Sequence, residues 1–87
     1  MAENIFRWYH LRQGIVTIAP ETREQTNFLM STLFVTFEPE VIISSLRVRS
    51  PNITLPAHEV KEFNQRYAIV AFAGALTEGT LEISVQP

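Results

Sequence analysis

The chain has 87 residues, 46% of them hydrophobic and 18% charged, with a formal net charge of −2 at pH 7. That length holds one core and no second domain, so residues 1–87 are read as a single unit, and the composition is globular rather than disordered. Cysteine is absent and histidine occurs only at His10 and His58, which excludes disulfides and thiolate metal sites and leaves little for zinc. The acidic balance argues against a nucleic-acid partner. A core this small often leans on a staple, and the one that remains is a partner subunit. Met1 to Arg7 lacks the basic-then-apolar pattern of a signal peptide, and no run approaches the ~18 apolar residues of a membrane span. A soluble, cytoplasmic or intracellularly assembled protein with no membrane partner is therefore expected. In that setting Asn52-Ile53-Thr54 matches the glycosylation pattern by chance.

Turn-forming residues fall at short intervals, and the segments between them are rich in β-branched and aromatic residues. Residues 5–11 and 15–19 read as two strands around Gln13-Gly14. Residues 27–37 are long and apolar; Thr32, Val35 and Thr36 favour a strand. The rival is a helix, with Thr22-Arg23-Glu24-Gln25 as capping box and Leu29, Leu33 and Phe37 as its stripe. Residues 40–50 read as a strand with Ile42, Ser44, Leu46 and Val48 on one face and Val41, Ile43, Ser45, Arg47 and Arg49 on the other. Ile53-Thr54-Leu55, between Pro51 and Pro56, reads as a short edge strand. Residues 57–65 are either a short helix with Val60, Phe63 and Tyr67 as its stripe, or a loop or irregular strand. Residues 67–73 are apolar on both faces, as a central strand is. Residues 80–86 alternate strictly, with Leu81, Ile83 and Val85 inward, and Gly74 to Gly79 is expected to join these last two strands as a hairpin. Six or seven short strands predict a mainly β fold, a small antiparallel β-sandwich with immunoglobulin-like or related topology. A small barrel is one alternative. An α+β fold with one or two short helices follows if both ambiguous segments are helical.

Catalytic chemistry finds little to work with. A Ser-His-acid triad would have to use His10 or His58 with a glutamate, and there is no Gly-x-Ser-x-Gly elbow. His58, Glu59 and Glu62 would gather only on a helix, where such charges are ordinary surface chemistry. The Glu21–Glu24 and Glu38–Glu40 pairs read as turn residues that keep their loops wet rather than as a glycosidase pair. Gly14, Gly74 and Gly79 are too far apart to cradle a phosphate. The chain is expected to be no enzyme, with no catalytic residue, metal site or cofactor.

Two groups are candidates for binding. Phe6, Trp8 and His10 share one face of the first strand, and Arg7, Tyr9 and Leu11 the other. Aromatics on both faces exceed what one core absorbs, and Trp, Tyr and Arg are the residues enriched at contact hot spots. Arg47 and Arg49, two apart on one strand, suit carboxylate or phosphate; cross-strand glutamates would satisfy them equally. Phe6, Trp8, Tyr9, His10, Arg47 and Arg49 are thus the partner- or ligand-binding candidates. They predict a non-enzymatic protein–protein assembly or structural module, self-associating as a homo-oligomer or meeting a protein partner, of the kind used as a virion or scaffold component. The alternative is a small β domain that binds carbohydrate or single-stranded nucleic acid through Trp8, Tyr9 and the arginines.

Overall fold

The computed structural model describes residues 3–13, 15–19, 26–29 (backbone only) and 31–87. Eight strands and no helix occur among them: β1 (Ile5–Arg12), β2 (Ile15–Ala19), β3 (Thr26–Leu29), β4 (Thr32–Thr36), β5 (Ile42–Arg49), β6 (His58–Asn64), β7 (Tyr67–Phe72) and β8 (Glu78–Gln86). Accordingly, no helix there is long and apolar enough to cross a membrane. The strands form two antiparallel four-stranded sheets, ordered β2-β1-β8-β5 and β3-β4-β7-β6, which make a small β-sandwich. Its order is of the related kind rather than the immunoglobulin one. There the first strand lies at a sheet edge; here β1 lies between β2 and β8.

Period-two alternation builds the core. Leu81, Ile83 and Val85 of β8 point inward and are at most 1% exposed. They join Tyr9 and Leu11 of β1, Ile43 and Leu46 of β5, Leu33 and Val35 of β4, and Ala68, Val70 and Phe72 of β7 in one cluster. Burying each of the larger side chains stabilises the fold by about 1.5–3 kcal/mol. β7 lies between β4 and β6; its Ala68, Val70 and Phe72 are buried in the core, while Tyr67, Ile69 and Ala71 on the other face are half-buried.

The structure departs from the sequence expectations in several places. Residues 27–37 are not one strand but the hairpin β3–β4, with Leu29 opposite Thr32. Of the two readings left open for residues 57–65, the helix is absent and the irregular strand is present: they carry β6, which runs beside β7 at a sheet edge with a register shift between Glu62 and Asn64. β7 and β8 are not a hairpin, because they lie in different sheets. Residues 73–77 cross instead from sheet to sheet, and five extended residues reach about 16 Å, enough for the ~10 Å between packed sheets.

Ile53-Thr54-Leu55 forms no strand. The Ser50 hydroxyl accepts hydrogen bonds from the backbone N–H groups of Asn52 and Ile53, at 3.3 and 3.1 Å, and bends the chain there. Ile53 and Leu55 pack against the core as half-buried plugs. The capping-box residues Thr22 to Gln25, the Glu21–Glu24 pair, Gly14 and Pro20 lie outside the described residues.

The faces of β5 are also reassigned. Its pairing with β8 shifts register between Ile42 and Arg47, a β-bulge that changes which parity faces inward. Ile43 and Leu46 are both buried while Ile42, Ser44, Arg47 and Arg49 are exposed. Ser45 fills the bulge: its hydroxyl donates to the Ile42 carbonyl at 2.6 Å and accepts from the Gln86 N–H at 2.8 Å. At the other end of β8, the Thr80 N–H donates to Asn52 Oδ1 at 3.0 Å. The backbone donors of β8 beyond its pairing with Arg47 and Arg49 are thus met by side chains rather than left bare.

Two substitutions test this packing. Ile83→Ala should lower unfolding free energy by about 2–4 kcal/mol in urea titration; a loss below about 0.5 would place Ile83 on the surface. Gly79 has φ +123°, and a Cβ there would stand 2.8 Å from the Ile53 side chain. Gly79→Ala should therefore cost roughly 1–3 kcal/mol, part of it recovered when Ile53→Ala is added.

Candidate functional site

The pairing registers determine which side chains share the outer face of the β2-β1-β8-β5 sheet. Trp8 stands opposite Ala19 on β2 and Glu82 on β8, and Glu82 stands opposite Arg49 on β5. One row therefore reads Ala19, Trp8, Glu82, Arg49. The next reads Phe6, Ser84, Arg47. On the other side of Trp8 lie Thr17, His10 and Thr80, then Ile15, Arg12 and Glu78. With strands about 4.8 Å apart, Phe6 and Arg47 are separated by about 10 Å across Ser84. Two candidate groups some forty positions apart in sequence thus lie on one face.

Tyr9 is the exception. Its side chain is fully buried in the core, because it alternates with Trp8 along β1. It belongs to the packing and is removed from the contact candidates. Trp8 is half-buried on the outer face and is not a core residue, while Phe6 is 48% exposed. His10 is exposed and lies 3.2 Å through Nδ1 from the Thr80 hydroxyl. It borders an open depression of about 500 Å³ lined by His10, Arg12, Gln13, Ile15 and Thr17 at the β1–β2 turn.

The two arginines have different roles. Arg49 Nε donates to Glu82 Oε1 at 2.5 Å and its Nη2 donates to Oε2 at 3.2 Å, a bidentate pair. The Glu82 side chain is only 10% exposed although it points away from the core. Arg49 thus compensates a nearly buried carboxylate and is structural. Arg47 is exposed, and its Nη1 donates to the carbonyls of Ser44 and Leu46 at 3.2 and 2.9 Å. Those are carbonyls of its own strand, so its charge meets no carboxylate among the described residues.

Sequence reasoning missed Ile42, Ile15 and Glu82. Ile42 is 49% and Ile15 69% exposed, both on this outer face. Ile42 reads on the same face as Leu46, and the bulge, silent in the sequence, puts the two on opposite faces. Glu82 was placed outward, but its burial comes from flanking strands that the order of residues does not name. His58 lies on β6 in the other sheet, stacked obliquely on Phe72 at 5.6 Å. Four strand residues separate it from Glu62, about 13 Å, so the helical clustering considered for that segment does not arise. Phe63, 60% exposed, makes an edge contact with Tyr67 at 5.4 Å on that second sheet.

Arg49→Ala should lower stability by about 1–2 kcal/mol, because it strands the Glu82 carboxylate. Arg47→Ala should fall within about 0.5 kcal/mol of the parent. In a double-mutant cycle over Arg49 and Glu82, chemical denaturation should show a coupling of about 1 kcal/mol; no coupling would make that pair incidental.

The chain matches no family model, no curated protein and no solved structure. The outer face of the β2-β1-β8-β5 sheet is thus the ground on which a function is argued.

Proposed function

We propose that this chain is a non-enzymatic protein–protein assembly module, and that the outer face of the β2-β1-β8-β5 sheet is its contact surface. The reading is carried by one observation: Phe6, Trp8, Ile42 and Arg47, whose charge meets no carboxylate among the described residues, lie on a single sheet face. Three of the four exposed large hydrophobic residues among those described, Phe6, Ile15 and Ile42, lie on that face. Each apolar side chain left in water forgoes about 25 cal/mol for each Å² that could be covered. Aromatic side chains and arginine are the residues enriched where proteins meet. The simplest cover is a second copy of the chain related by a twofold axis.

Trp8 is the only tryptophan, so its fluorescence reports on this face without labelling. On dilution its emission should move to the red as the assembly separates, before far-ultraviolet circular dichroism changes. Light scattering should follow the same curve. Phe6→Ala combined with Arg47→Ala should weaken self-association by about tenfold or more, the loss expected from removing hot-spot side chains, with little change in melting temperature. A chain that is monomeric at every concentration, with unchanged Trp8 emission, would defeat self-association and return weight to a carbohydrate surface.

A further inference from the structure

The end of the first sheet where β1 leads into β2 carries polar groups that the fold leaves unused. Two depressions adjoin there. The first, of about 500 Å³, lies beside His10, Gln13 and Thr17. The second, of about 310 Å³, lies beside Asn52, Glu78 and Thr80. Arg12 is a wall of both. Arg12 and Glu78 stand directly opposite each other on β1 and β8, and both are exposed. Opposite charges so placed ordinarily pair. Here neither side chain makes an ion pair or a hydrogen bond with any described residue.

Their neighbours are half-used. His10 is held through Nδ1 at the Thr80 hydroxyl, 3.2 Å away, which leaves Nε2 for another partner. Asn52 Oδ1 accepts from the Ser50 hydroxyl and the Thr80 N–H, which leaves the amide N–H groups of Asn52 to donate. The backbone is distinctive at the same place. Among the described residues only Gln13 and Gly79 have positive φ, 52° and 123°, and both line these depressions. A tight turn between Arg12 and Ile15 calls for such a φ, but asparagine or glycine meets that need with less strain than glutamine. Residues held this way gather where ligands are held.

We propose that the two depressions form a binding site for a neutral saccharide. A sugar hydroxyl both donates and accepts, and the free groups here are of both kinds: the Arg12 guanidinium and the Asn52 amide donate, and the Glu78 carboxylate accepts. The planar guanidinium and carboxylate can each meet two neighbouring hydroxyls. The charges of Arg12 and Glu78 cancel, so Glu78 opposes an anion and Arg12 opposes a cation. Exposed Ile15, which lines the first depression, gives the C–H face of a sugar ring an apolar wall. The site does not rest on the contact surface proposed above. Along β1, Arg12 lies six residues from Phe6, about 20 Å.

A printed array of neutral, sialylated and sulfated glycans, probed with the full chain, tests the site. Its dense display compensates for the modest affinity of an open depression. Retention should be confined to neutral glycans. Each retained glycan is then titrated in solution against Arg12→Ala, Glu78→Gln and Lys61→Ala, all at exposed positions, with circular dichroism to verify the fold. Arg12→Ala and Glu78→Gln should each weaken binding about tenfold or more. Lys61→Ala, on the second sheet, should leave it unchanged. The sign at Glu78 is decisive, because removing its charge would strengthen the hold on an anion. In amide NMR spectra the signals of Gln13, Thr17 and Thr80 should shift on titration, while those of Phe6 and Ile42 stay in place. No retained glycan, retention of acidic glycans alone, unchanged binding by Arg12→Ala or tighter binding by Glu78→Gln would overturn the proposal.

Discussion

Every strand of the first sheet takes its place from β8, because β8 is bonded on both sides and its side chains commit both faces at once. Leu81, Ile83 and Val85 point into the core and cannot turn outward without exposing three large aliphatic residues. That fixes the parity of β1 on one side and of the C-terminal half of β5 on the other. A slip of one residue would exchange the faces throughout. The bidentate Arg49–Glu82 pair lies on the opposite side of the same strand, so a slip would also carry a carboxylate inward without its partner.

The face discussed above is a consequence of that parity. Once Tyr9 and Leu11 are drawn inward, Phe6, Trp8 and His10 have no place but the outside. Once Leu46 is inward, Arg47 must be outward. The convergence of aromatic and basic residues was not arranged by either segment alone; β8 lies between them and imposes it. Burial then separates the two arginines, since only Arg49 stands opposite a glutamate.

Much of this was legible in the sequence where a segment's own pattern decides its fate. The strict alternation of residues 80–86, the doubly apolar run 67–73 and the strands around Gln13-Gly14 all appear in the structure. What was not legible depends on partners. That β7 and β8 lie in different sheets cannot be read from two strands that would pair equally well as a hairpin. The bulge at Ser45 needs Gln86 to accept from, forty-one positions away. Residues 57–65 suit a short helix or an irregular strand by spacing, and pairing with the edge of β7 decides for the strand. Of the candidate residues, Trp8 and Phe6 keep the face predicted for them, while Tyr9 was legible as inward only once the core had claimed its side of β1.

The bulge also limits how this chain can drift. Downstream of it, insertion or deletion of one residue would have to break the match of Arg47 and Arg49 to Ser84 and Glu82. Upstream, the run Val41-Ile42-Ile43 is apolar at every position, so a one-residue slip would bury one isoleucine and expose the other. Length changes at the start of β5 thus exchange near-equivalent side chains, while the same change four residues later drives guanidinium groups into the core. The strand is permissive at one end and intolerant at the other, and the boundary between the two regimes is a single serine hydroxyl.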